Sequence, residues 1–264
     1  MPIDDNYECI KLEVGNGIAT LTLNRPDKLN AFNNTMTKEI EMVLDDASQN
    51  DDIRVIVVTG AGRGFCSGAD VSNMSARKEP RSRRSPLTIL GDFGLSLARF
   101  EKPIIAAING VAAGAGLSIA VLCDIRIAAE DARFAASWVK RGLIPDVGAT
   151  YLLPKLIGIE KAYELMYTGD IIDAATAKEI GLVSHVVPQD ELMRTANELA
   201  TKVAKGPPIA MQLIKRVVFR SMLEDLTSQF VFETYAQNIC YSSEDYKEGV
   251  ASFMEKREAQ FKGI

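Results

Sequence analysis

Two short β-branched runs, Val55-Ile-Val-Val-Thr59 and Pro103-Ile-Ile-Ala-Ala-Ile108, constrain this chain more than any other feature. A strand with one wet face alternates apolar with polar residues. These runs do not alternate, so they read as strands buried on both faces, as in a parallel sheet covered by helices. Ile125–Ala128 and Val183–Val187 read as further strands, and Ile10–Val14 with Ile18–Leu23 read as a hairpin about Gly15-Asn16-Gly17. Helical spacing runs over Met36–Ala47, Leu87–Arg99, Gly116–Cys123, Val147–Leu156, Glu160–Tyr167 and Ala174–Ile180. This alternation predicts an α/β core with largely parallel strands. Beyond Pro188 the pattern turns helical: Leu192–Lys205, Ile209–Leu223, Leu226–Ile239 and Ser243–Phe261, with Pro207-Pro208 a firm break. The organisation expected is a core over residues 1–190 and a C-terminal helical region over 191–264.

The net charge of −5 argues against nucleic-acid binding, which needs a basic face for the phosphates. No apolar stretch reaches the roughly 20 residues that span a bilayer. The acidic start Met-Pro-Ile-Asp-Asp lacks a signal-peptide core, and Phe-Lys-Gly-Ile at the other end is not a peroxisomal address. A cytoplasmic protein without membrane attachment is the expectation. Cys9, Cys66, Cys123 and Cys240 are scattered, with no nearby histidine, so neither a zinc site nor a disulfide framework is expected. One dense basic stretch, Ala76–Pro86, carries Arg81, Arg83 and Arg84. It reads as a solvated loop, or as a loop whose arginines meet ligand phosphates.

Each of the two buried runs exits into a loop of small residues. Gly60-Ala-Gly-Arg-Gly-Phe-Cys-Ser-Gly-Ala-Asp70 is neither a P-loop nor a dinucleotide fingerprint, and on its residues alone reads as a strand-to-helix turn. Asn109-Gly-Val-Ala-Ala-Gly-Ala-Gly-Leu-Ser118 opens a helix, whose first N–H groups lack intrahelical partners. Two such loops can aim two N–H donors at one oxygen, stabilising an enolate or a tetrahedral oxyanion.

Asn24–Ala31, Phe65–Asp70, Lys102–Gly110, Cys123-Asp124 and Thr168-Gly169 through Gly181–Val183 resemble the enoyl-CoA hydratase/isomerase (crotonase) family in order and spacing, from about residue 8 onward. The resemblance implies an α/β crotonase-like spiral of ββα units with a C-terminal helical region. It implies an acyl-CoA thioester substrate, with coenzyme A arriving as part of that substrate and no further cofactor or metal. It puts the two oxyanion donors on the N–H groups of Ala69 and Ala115, where the family usually has glycine at the second position. It matches Leu29, Ser67, Gly68, Asp70 and Gly114 to segments lining the acyl-CoA pocket. It also implies a homotrimer or hexamer held by the C-terminal helices, Ser243–Phe261 among them.

Hydratases of the family use two glutamates, at positions occupied here by Ser118 and Trp138. Serine without a partner is a poor base, and tryptophan cannot transfer the proton. That leaves Asp146. On the residues alone it serves equally well as an N-cap for the following helix or as a functional acid. Its position matches the catalytic aspartate of dienoyl-CoA and some enoyl-CoA isomerases, and the nucleophile of 4-chlorobenzoyl-CoA dehalogenase, in which a tryptophan matches Trp138. The implied activity is a double-bond shift with Asp146 as the single acid/base and Trp138 a pocket wall. The alternatives are an atypical hydratase, an aspartate-dependent dehalogenase or hydrolase, and a non-catalytic acyl-CoA binder. Dehalogenation would need a histidine where Gly91 stands, and His185, the one histidine, falls in an apolar strand.

Overall fold

The computed structural model describes residues 7–70 and 89–264. Its main sheet has six strands in the order β1 (Ile10–Gly15), β2 (Ile18–Leu23), β3 (Val55–Gly60), β5 (Ile104–Ile108), β7 (Ile125–Ala129) and β10 (His185–Val187). Only β1 and β2 pair antiparallel, as the hairpin pattern requires; the rest of this sheet is parallel. The absence of alternation in β3 has a direct structural cause. Ile56 and Val58 face one apolar cluster, while Val55 and Val57 face another on the opposite side of the sheet.

A second sheet accounts for the glycine-rich stretches. It has four strands in the order β4 (Gly64–Cys66), β6 (Val111–Ala113), β8 (Arg133–Ala135) and β9 (Ile171–Asp173). The chain therefore repeats one move: a strand in the main sheet, a three-residue strand in the small sheet, then a helix. β3, β4 and α2 (Ile89–Arg99) form one such unit, and β5, β6 and α3 (Ala115–Leu122) the next; β7 and β8 lead on to α4 (Ala149–Ile157) and α5 (Ile159–Thr168). This is the expected spiral of ββα units. α1 (Asn34–Gln49), capped by the Asn33 side chain on the Met36 N–H, packs on one face of the main sheet through Met36, Ile40, Val43 and Leu44.

After α6 (Ala174–Glu179), the four helices read from sequence are α7 (Leu192–Ala204), α8 (Pro208–Ser221), α9 (Leu226–Ser242) and α10 (Glu244–Glu255). The first of them covers the main sheet. Leu192, Ala196, Ala200 and Ala204 form a stripe against Val55, Val57, Ile105 and Ile127. Alanine at every fourth position keeps that stripe flat, so the backbone can lie close on the strands. Among the described residues no helix is long and apolar enough to cross a membrane.

Candidate active site

The first loop is poor in side-chain chemistry, and two asparagines outside it satisfy its backbone. Asn30 Nδ2 donates to the carbonyls of Ala61 and Gly64 at 2.9 and 2.7 Å. Asn109 donates to the Gly62 carbonyl at 2.9 Å and accepts from the Gly60 N–H at 3.1 Å. Beyond β4 the loop makes a single parallel bridge. The Phe32 N–H donates to the Gly68 carbonyl, and the Asp70 N–H donates to the Phe32 carbonyl, both at 2.8 Å. In such a bridge the residue between the two contacts turns its own amide to the other side. That residue is Ala69, which lines a cavity.

The second loop reaches the same cavity through the helix start. Gly114, with φ of 52°, takes the left-handed turn before α3, so Ala115 is spared a positive φ and its Cβ is tolerated. Ala115 opens the helix, where its N–H has no intrahelical acceptor. The loops touch: a Cβ added to Gly68 would lie 3.6 Å from the Ala115 nitrogen and 3.0 Å from the Ala113 carbonyl oxygen. Among the described residues, neither the Ala69 nor the Ala115 amide hydrogen-bonds to another backbone group or to a side chain. Both residues line the same space.

That space is a cavity of about 240 Å³ with Ser67, Gly68, Ala69, Gly114 and Ala115 on one side. Ser137, Trp138, Arg141, Leu143, Ile144 and Asp146 complete its lining. Asp146 is the one carboxylate among these residues. Trp138, only 5% exposed, donates from Nε1 to Asp146 Oδ1 at 3.0 Å. Its ring therefore belongs both to the core and to the cavity wall.

Asp146 is not the helix cap that its position before a helical stretch allowed. α4 starts at Ala149, and its N-cap is Gly148, with φ of 80°. The Asp146 carbonyl takes the local hydrogen bonds instead, from the Ala149 N–H at 3.1 Å and from Ser118 Oγ at 2.8 Å. The intervening Val147 has φ of 51°, a conformation that costs a non-glycine residue of order 1–3 kcal/mol. Ser118, wholly buried, is not part of the cavity lining.

Leu29 and Asp70 are not among the residues that line this cavity. Leu29 is left-handed at φ 47°, its carbonyl accepts the Ser67 N–H at 3.0 Å, and its side chain packs on Gly64. Asp70 pairs with Arg25 at 2.8 Å, a mostly buried ion pair that braces the first loop against the segment before α1. Cys66, one residue from the cavity lining, has its thiol pushed by burial up to about 12, which keeps it protonated and inert. Gly91 lies in α2. His185 sits exposed on the edge strand β10, not packed as its apolar neighbours suggested, and does not line the cavity. The basic stretch with Arg81, Arg83 and Arg84 falls outside the described residues.

Ser137, Arg141, Leu143 and Ile144 were not legible as lining residues. The one available signal was the apolar Leu143-Ile144 pair set between Gly142 and Pro145, where a surface turn would be polar. Ile144 is 79% exposed at the mouth.

The profile of the enoyl-CoA hydratase/isomerase family matches residues 13–264. The chain is 39% identical over 267 residues to the 1,2-epoxyphenylacetyl-CoA isomerase of Escherichia coli (strain K12), covering 97% of this chain and 99% of that one. It is also 39% identical over 251 residues to the short-chain-enoyl-CoA hydratase of Clostridium acetobutylicum, covering 94% and 95%. Among solved structures, an enoyl-CoA hydratase from Bacillus anthracis superposes with a TM-score of 0.93 at 34% identity, covering 97% of this chain and all of that one (100%).

Proposed function

The chain belongs to the enoyl-CoA hydratase/isomerase family, and from that membership we propose that it shifts a carbon–carbon double bond in an enoyl-CoA thioester, with Asp146 as the only acid/base. The observation that carries this reading is that, among the described residues, Asp146 is the single carboxylate lining the cavity that Ala69 and Ala115 also line. In the proposed reaction the thioester carbonyl oxygen sits against those two N–H groups. Asp146 takes a proton from the carbon α or γ to that carbonyl, and the electron pair moves into the conjugated system as a dienolate. The two amides hold the developing negative charge, each donor being worth about 3–4 kcal/mol. Asp146 then returns the same proton at the other end, so the product is an isomer and nothing is gained or lost. Coenzyme A enters and leaves with the substrate, and the reaction asks for no metal and no redox partner. Burial of the far wall by Trp138 supports exclusion of water from the intermediate.

Hydration is the second reading, favoured by relatives that carry the hydratase name. It needs a group to activate water besides the one that handles the α-carbon. Ser118 Oγ is already committed to the Asp146 carbonyl, and Trp138 occupies the other family position.

The test is a side-by-side screen of 3-enoyl-, 2-enoyl- and dienoyl-CoA thioesters with wild type and Asp146→Ala, read together with solvent-deuterium exchange at the α and γ carbons. Isomerisation and exchange that both fall by about 100- to 10,000-fold in the variant are expected. Formation of 3-hydroxyacyl-CoA as the main product would replace this reading with hydration. No exchange with any acyl-CoA would leave a binding protein.

A further inference from the structure

The turn that carries Asp146 is built against the preferences of its own sequence. Asp146 to Ala149 closes with the Ala149 N–H on the Asp146 carbonyl at 3.1 Å, and its central residues have φ of 51° and 80°. Two positive φ values in succession are those of a type I′ turn, which favours Gly, Asn or Asp at both centres. Gly148 suits its place. Val147 does not, because a β-branched side chain is strained there.

Two contacts from other elements hold the valine in place. Ser118, from the second turn of α3, donates its buried hydroxyl to the Asp146 carbonyl at 2.8 Å. Gly94, in α2, leaves room for the valine: a Cβ at Gly94 would lie 2.8 Å from Val147 Cγ1 and 3.5 Å from its Cα. With the turn so formed, capping of α4 passes to Gly148. The Asp146 carboxylate accepts the Trp138 indole N–H and lines the cavity.

We propose that Ser118 and Gly94 are positioning residues, which lock Val147 in the left-handed conformation and so fix where the Asp146 carboxylate stands. Ser118 thereby acts on the reaction from outside the cavity, through the backbone. Its effect on rate rests on the acid/base role proposed for Asp146; its effect on geometry does not.

Trp138 is the only tryptophan in the chain, so its indole N–H gives a single assignable resonance that reports the bond to Asp146. Asp146→Ala defines the position of that resonance when the bond is absent. Ser118→Ala and Gly94→Ala should each move it toward that position. With a 3-enoyl-CoA substrate both should lower the rate of proton exchange at saturation, by up to about 100-fold, with KM held within about threefold. Adding Val147→Gly to Gly94→Ala removes the colliding methyl and should restore part of the rate and move the resonance back. An indole resonance left at the wild-type position in folded Ser118→Ala overturns the proposal, whatever the activity. Should Gly94→Ala fail to fold, Ser118→Ala alone decides. A resonance that moves while exchange stays at the wild-type rate keeps the positioning of Asp146 but removes its acid/base role.

Discussion

The indole of Trp138 gives Asp146 Oδ1 a hydrogen bond of 3.0 Å while its ring walls the cavity, so one side chain combines a polar and an apolar task. Trp138→Phe separates the two, since phenylalanine keeps most of the wall and loses the donor. A hydrogen bond to a charged group contributes about 1.5–3 kcal/mol, so a fall of about 10- to 100-fold in proton exchange is expected. Acyl-CoA binding, followed by calorimetry, should change far less. A variant that binds as weakly as it exchanges would mean that the ring's packing matters and the bond does not. The same residue shows what a single position conceals: a tryptophan at a glutamate position announces that one acid is gone, but not that its indole hydrogen-bonds to Asp146.

At the scale of elements, the site depends on α3 lying hard against β4. Gly116, in the first turn of α3, has no room for a side chain, because a Cβ there would lie 2.1 Å from the Cys66 carbonyl oxygen. Its backbone φ is not in the left-handed region, so the constraint is contact and not conformation. Gly116→Ala must push the helix from the strand that carries the first loop. A loss of about 1–3 kcal/mol or more in urea unfolding is expected. A larger loss of exchange than of stability would follow from separating the Ala69 and Ala115 amides. An alanine variant of wild-type stability and rate would show that the two elements yield independently. The three-residue strands of the small sheet escaped sequence reading for a related reason. Gly64–Cys66, Val111–Ala113 and Ile171–Asp173 are too short for any period to register, and the glycines in or beside them (Gly64, Gly110, Gly114 and Gly169) are the marks of a loop.

At the scale of the whole molecule, the C-terminal helices carry more apolar surface than the rest of the fold covers. Phe230, Val231, Tyr235 and Ile239 on α9, with Phe253 and Met254 on α10, are all exposed in the single chain. So many large apolar side chains exposed on two helices point to an interaction surface. It predicts self-association, which sedimentation velocity at micromolar concentration can read; a monomer there would count against it. The sequence by itself determined the parallel core, because strands without alternation can only be buried on both faces. It also determined the family, through loop motifs whose order and spacing it preserves, and it singled out Asp146 by the loss of both glutamates. Tertiary structure alone decided that α7 closes the sheet, and that Ala69, Ala115 and Asp146 line one cavity. It alone decided that the cap of α4 falls to Gly148 and not to Asp146. These outcomes rest on contacts between residues far apart in the chain, Phe32 with Ala69, Gly94 with Val147 and Ser118 with Asp146, and no local pattern encodes a bond whose partner lies on another element.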